Sequence, residues 1–101
     1  VKPGNTANDV ALAFWKILDK YGIEKKSRTG YSIGIGYPPD WGEHTLNIYK
    51  GDNTVLEPNV CFHMIAVMQF GEWGVEASEA IRVTEKGSEL FCNMSKELYI
   101  K

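Results

Sequence analysis

One helix followed by antiparallel strands, an α+β architecture, is what this sequence predicts. Three observations predict it. Apolar residues recur at helical spacing between Thr6 and Tyr21. A glycine-rich stretch at 30–37 alternates bulky with bare positions. An apolar run at 60–69 is followed by two further strand-like segments, each set off by a glycine-containing turn.

Pro3-Gly4 punctuates an opening loop. Thr6 can cap a helix, with Asp9 three residues later in capping-box spacing. Val10, Ala13, Phe14, Ile17, Leu18 and Tyr21 then share one helical face, and Gly22 stands where a left-handed helix stop belongs. The spacing predicts a helix over 6–21. A basic connection follows, with Lys25, Lys26 and Arg28. In 30–37, Tyr31, Ile33, Ile35 and Tyr37 alternate with Gly or Ser, which predicts a strand with one bulky face and one bare backbone face. Pro38-Pro39 ends it, and 40–44 reads as an exposed loop. A short strand is expected at 46–49 and a turn at 50–53. The run 60–69 reads as a strand buried on both faces. Gly71 to Gly74 turns the chain, and strands are expected at 75–84 and 88–92.

The 101 residues fit a single domain over 1–101, and a domain this small buries about two-thirds of its unfolded surface. Apolar residues make up 44% and charged residues 24%, an ordinary globular balance. A formal charge of −2 points to neither nucleic acid nor an anionic membrane as partner. No apolar run approaches the roughly 20 residues of a membrane span, and no signal peptide is visible. Two cysteines, Cys61 and Cys92, are too few for a disulfide framework, so a cytoplasmic location is expected. The chain starts at Val1, so it is expected to begin inside a larger reading frame or to have had a leader removed.

Four motifs occur in a telling order. They are Thr6-Ala7-Asn8-Asp9-Val10 after Pro3-Gly4, then Gly30-Tyr31-Ser32-Ile33-Gly34, then Gly51-Asp52 with Val55-Leu56-Glu57-Pro58, then Val83-Thr84-Glu85-Lys86-Gly87. Together they resemble the C-terminal half of the "pita-bread" catalytic domain of methionine aminopeptidase, Xaa-Pro aminopeptidase, prolidase and creatinase. The resemblance covers nearly the whole chain, to about Cys92. Gly36-Tyr37-Pro38-Pro39-Asp40-Trp41-Gly42-Glu43, Phe62-His63, and Val75-Glu76 before Ser78-Glu79 are similar to the Xaa-Pro-dipeptidase-like branch related to ectoine hydrolase and creatinase. The resemblance implies half of a pita-bread fold, with the helix on a curved, mostly antiparallel sheet.

Active peptidases of that family hold two divalent metals with two Asp, one His and two Glu. The resemblance implies that both Asp lie in the other half. The His of the family's Gly-His-Gly-Ile-Gly pattern falls on Tyr31. The first Glu, counted from Pro58, falls on Ile65; the second, counted from Thr84, falls on Ser78, or on Glu79 after a one-residue bulge. Such ions need carboxylate or imidazole ligands, so no metal and no cofactor is expected here. Creatinase implies that the fold can also host metal-free hydrolysis.

The candidate site residues each carry a second reading. Tyr31 can donate a hydrogen bond to a ligand, or simply pack on its strand. His63 can serve as a general base, or as a hydrogen-bonded core histidine. Glu76, Ser78 and Glu79 cluster on one strand, where alternation separates Glu79 from the other two; a carboxylate there can do acid–base work or pair with Arg82. Tyr37, Asp40, Trp41 and Glu43 can form a rigid substrate rim, a surface cap or a subunit contact. Ser32 and Cys61 have no oriented base beside them and are not expected to be nucleophiles.

Three functions stay open. One is a peptidase-like catalytic segment that is inert alone and binds a small polar ligand or a partner as a homodimer. The second is a metal-independent hydrolase of a small amide or amidine compound, using His63 with Glu76 or Glu79 and completed by a dimer mate or by missing upstream sequence. The third is a dimerisation module without a ligand. The homodimer is expected because half a pita-bread domain would expose apolar sheet and strand edges on its cut face.

Overall fold

The computed structural model describes residues 1–101. It opens with helix α1, Ala7–Lys20. The Thr6 hydroxyl accepts the Asp9 N–H at 3.1 Å, and the Asp9 carboxylate accepts the Thr6 N–H at 2.8 Å. This reciprocal cap satisfies two of the orphan donors at the helix start. At the other end Gly22, at φ 64°, reverses the chain. There the Ile23 N–H bonds to the Leu18 carbonyl and the Gly22 N–H to the Asp19 carbonyl, both at 3.1 Å.

Five strands follow: β1 Gly30–Ile33, β2 Gly42–Ile48, β3 Cys61–Phe70, β4 Trp73–Val83 and β5 Ser88–Leu90. They form one sheet in the order β2-β1-β3-β4-β5, antiparallel throughout. One helix followed by an antiparallel sheet is the architecture that the α+β reading expects. The segment between β2 and β3 returns to the helix start, where Ala7 N–H bonds to the Thr54 carbonyl at 2.9 Å and Leu56 N–H to the Asn5 carbonyl at 2.8 Å.

The core lies between α1 and one face of the sheet. Ala7, Val10 and Ala11 meet Leu46, Ile48, Leu56, Phe62, Ile81 and Val83. Strand alternation sends the residues between these to the opposite face, which the helix does not cover. That face carries Asn47, Tyr31, His63, Ile65, Ser78 and Glu76.

Several element expectations need correction. β1 stops at Ile33 rather than reaching Tyr37, and β2 begins at Gly42 rather than Leu46. The Glu43 carboxylate accepts the Gly36 N–H and so draws 34–36 out of the strand. The register also slips between Tyr31 and Ile33, where the buried Ser32 hydroxyl accepts the Thr45 N–H at 3.1 Å. β3 is half-buried rather than buried on both faces, and only Phe62 within it is fully enclosed. A 14-residue helix spans about 21 Å. The ten-residue β3 spans about 33 Å. One helix on one face therefore cannot cover the hairpin that β3 forms with β4. On the helix itself Ala13, Ile17 and Tyr21 are exposed, because the buried stripe is centred on Ala7, Val10, Ala11 and Leu18. No helix is long and apolar enough to cross a membrane.

A Cβ at Gly30 would lie 2.6 Å from the His63 carbonyl oxygen and 3.0 Å from Ile48 Cγ1. Gly30→Ala is therefore expected to destabilise the fold by about 1–3 kcal/mol. That is a fall in Tm of roughly 4–8 °C per kcal/mol, readable by thermal unfolding. An unchanged Tm would mean that β1 does not lie against β3 in this register.

Candidate active site

The register of three strands lines up a row on the uncovered face. Asn47 of β2 pairs with Tyr31 of β1, Tyr31 with His63 of β3, and His63 with Ala80 of β4. The Tyr31 hydroxyl lies 3.1 Å from His63 Nδ1, with the two rings edge to face at 5.4 Å. Both side chains are half-buried. Two proton arrangements are available. If the phenol donates to Nδ1, Nε2 carries the proton and can donate to a ligand. If Nδ1–H donates to the phenol oxygen, Nε2 keeps a free lone pair and can take a proton from water.

Tyr31 is held from its other side. The Arg28 guanidinium lies 4.6 Å from the centre of its ring, and Arg28 Nη1 donates to Asn47 Oδ1 at 2.7 Å. Sequence reasoning missed both partners. Asn47 stands between the apolar Leu46 and Ile48, a pattern that puts it on the far face, but its pairing with Tyr31 depends on a register that the sequence does not print. Arg28 read only as part of a basic connection.

Of the carboxyl candidates, neither stands beside His63. Ser78 faces the same side as His63, directly across from Ile65. Glu76 shares that side but pairs with Val67, four residues along β4 from Ala80, a separation of about 13 Å. Its neighbour there is Lys25, whose Nζ donates to the Val67 carbonyl at 2.9 Å. Burial lowers the Lys25 pKa, and the Glu76 charge opposes that shift. Glu79 lies on the helix side, across from Met64. It is ion-paired with Lys96, and the hydrogen bond from that ammonium is the main cause holding its carboxyl below the usual range. The expected grouping of His63 with Glu76 or Glu79 is thus corrected: β3 and β4 pair without a bulge, so parity removes Glu79 and distance removes Glu76.

The loop between β1 and β2 borders the same site. The Tyr31 ring packs over Gly42, where a Cβ would sit 3.6 Å from Tyr31 Cδ2. Asp40 Oδ1 accepts the Gly42 N–H at 2.9 Å, and Asp40 Oδ2 lies 2.6 Å from His44 Nε2. Glu43 holds the Gly36 amide. Both acids therefore brace their own loop. Tyr37 and Trp41 stand exposed on it with ring centres 6.4 Å apart.

Residues 1–85 match metallopeptidase family M24. The chain belongs to that family. It is 43% identical over 101 residues to the ectoine hydrolase of Halomonas elongata, covering 99% of this chain and 25% of that protein. It is 41% identical to an uncharacterized hydrolase/peptidase of Sinorhizobium fredii, covering 100% of this chain and 26% of that protein. Among solved structures it is similar to dipeptidase PepE from Mycobacterium ulcerans, with a TM-score of 0.86 at 30% identity over 97% of this chain and 26% of that one. The prolidase from Pyrococcus horikoshii shares the fold, with a TM-score of 0.84 at 23% identity over 98% of this chain and 28% of that one. The chain thus spans about a quarter of the length of these relatives.

The family name implies a metal, and the resemblance read from the sequence expects its ligands on this half at Tyr31, Ile65 and Ser78. All three lie on the uncovered face, with Ile65 directly opposite Ser78. A phenol, a hydrocarbon and a hydroxyl do not make a donor set for a divalent cation. Nor do three His, Cys, Asp or Glu side chains converge elsewhere. Those three side chains do not fit a divalent metal.

The Asp40 brace gives a pH-dependent outcome. The Gly42 N–H, then the His44 contact, hold its carboxyl below the usual aspartate value. A depressed folded-state pKa means the brace is intact above the usual value of about 3.9 and is lost as pH falls through the lowered one. An NMR titration of the Asp40 carboxyl is expected to give a midpoint below 3.9. In Asp40→Ala the Gly42 amide should exchange faster with solvent. A midpoint at or above the usual value would contradict the brace.

Proposed function

We propose that this chain is the Tyr31–His63 wall of a hydrolase that cleaves an amide or amidine C–N bond in a small polar compound without a divalent cation. Alone it binds but does not turn over; activity appears when the other wall of the site is supplied. The observation that carries this reading is the hydrogen bond between Tyr31 and His63 on the uncovered face, at a position where the family pattern has a metal-binding histidine. The 43% identity to an ectoine hydrolase supports the substrate class. In the chemical step water adds to the amide or amidine carbon as His63 Nε2 takes its proton, with Tyr31 accepting from Nδ1–H of the imidazolium that forms; the C–N bond then breaks as Nε2 returns that proton to the leaving nitrogen. Two free cysteines, Cys61 and Cys92, support a cytoplasmic setting.

A chimera tests this: the chain replaces the corresponding quarter of the Halomonas elongata ectoine hydrolase, and ectoine hydrolysis is measured. Turnover is expected in the chimera and not in the chain alone. His63→Ala should lower kcat by about 10²–10⁴-fold. Tyr31→Phe should lower it less, and a chelator should leave it unchanged. Activity lost on chelation, or unaltered by His63→Ala, would overturn the reading.

A homodimer is part of the same proposal. What supports it is the half-exposed apolar surface on both sides of the β3–β4 hairpin: Ile65 and Val67 on one, Met68 and Val75 on the other. Light scattering at micromolar concentration is expected to give twice the chain mass, and the monomer mass would refute it.

A further inference from the structure

The outer edge of β4 is only half covered. β5 lies along it from Ile81 to Val83, and one further rung, the Phe91 N–H on the Ala80 carbonyl at 3.0 Å, ends the ladder. Alternation points the N–H and C=O groups of Ser78, Glu76 and Gly74 to the same open side as those of Ala80. No strand pairs with them, and Trp73 to Ser78 are all exposed. The far half of β3 is guarded on its own outer edge, where Lys25 Nζ donates to the Val67 carbonyl. An edge left open in this way is a template for one more strand.

The residues after β5 match that template. Carried on in the β4–β5 register, Asn93 falls opposite Ser78, Ser95 opposite Glu76 and Glu97 opposite Gly74. Parity then puts Met94 and Leu98 on the helix side, beside Ala77 and Trp73, while Asn93, Ser95 and Glu97 take the His63 side. Apolar side chains thus meet apolar ones, and polar ones meet Ser78 and Glu76. Glu97 comes diagonal to Glu76, whose charge Lys25 already faces. Met94 is 68% and Leu98 82% exposed in the structure, so this burial is available and not yet made.

Glu79 holds the segment off the edge. Its carboxylate accepts the Cys92 N–H and is ion-paired with Lys96. The continued register would put Lys96 opposite Val75, four residues along β4 from Glu79, a separation of about 13 Å. The ion pair and the docked strand therefore exclude one another.

We propose that residues 93–98 form a strap that closes along the open edge of β4 as a continuation of β5, and that the Lys96–Glu79 pair is the latch that keeps it open. The strap is tethered beside its edge, so its effective concentration there exceeds that of the same segment from a second copy. The docking stands apart from the proposed hydrolysis. Its consequence for the site, a polar border of Asn93, Ser95 and Glu97 along the His63 face, rests on that reading.

The test is hydrogen exchange of the Gly74, Glu76 and Ser78 amides, followed by NMR on the full chain without ligand. Fast exchange is expected in the unaltered chain. Lys96→Met removes the latch at an exposed position and should slow exchange at Glu76 and Ser78 at least tenfold. Glu79→Gln should do the same, and if that variant does not fold, Lys96→Met carries the result. Adding Ser95→Pro to Lys96→Met removes the strap's central N–H donor and should restore fast exchange. Unchanged exchange in Lys96→Met would overturn the strap. Protection that survives Ser95→Pro would show that another segment pairs the edge. Protection that grows with protein concentration would assign the strand to a second copy and overturn closure within one chain. Each of these failures leaves the Tyr31–His63 reading standing, because no turnover or ligand enters the measurement.

Discussion

A β-carbon at position 30 would lie 2.6 Å from the His63 carbonyl oxygen, so only glycine lets β1 lie this close to β3. That approach fixes the register, and the register fixes the site. With Gly30 opposite Met64, Tyr31 must stand opposite His63 and Ser32 opposite Phe62. A slip of one residue would turn Tyr31 into the core and the Ser32 hydroxyl out of it. The core face makes such a slip costly, because Phe62, Ile48 and Val83 are fully buried there. The packing beneath the sheet therefore holds the polar row above it.

Tyr31 is the centre of that row. Its hydroxyl meets an imidazole, its ring face meets a guanidinium, and its edge lies over Gly42 at the foot of the β1–β2 loop. Each contact restricts a different freedom of the ring. A phenol so constrained holds the His63 ring in one orientation and leaves both proton arrangements open to it. The acids of the loop act at one remove, because Asp40 and Glu43 bond to backbone amides and shape the rim.

The local signals in the sequence were legible where one residue decides one conformation. Thr6 with Asp9 and Gly22 mark the helix ends, and both devices form. The apolar run at 60–69 became β3 with a shift of one residue. Alternation also placed Glu79 on the face opposite Glu76, as the continuous β3–β4 pairing has it. The stretch 34–37 misled because alternating glycine looks like a strand, while a bare backbone bends as readily; a side chain seven residues on, Glu43, decides the matter. The expected helix face is rotated from the buried one, taking in Ala13, Ile17 and Tyr21 and leaving out Ala7 and Ala11, for a related reason. Helical period alone does not tell which side of an apolar stripe the sheet will cover. Arg28 and Asn47 were invisible as site residues because their role exists only through cross-strand pairing with Tyr31.

Lengths and parity explain the remainder. α1 reaches about two-thirds as far as β3 by their rises per residue. The helix lies over the β2 side of the sheet, so the far half of the β3–β4 hairpin projects past it. Alternation then exposes apolar side chains in both directions, Ile65 and Val67 toward the His63 face, Met68 and Val75 toward the other. On the His63 face this has a chemical consequence. Ile65 stands two residues from the imidazole, where a carboxylate would have brought charge and water. A hydrocarbon there keeps the surroundings of His63 less polar, and covering that surface would strengthen the Tyr31–His63 bond by lowering the local dielectric. The second wall proposed above would therefore act on the chemistry of the site as well as cover its apolar surface.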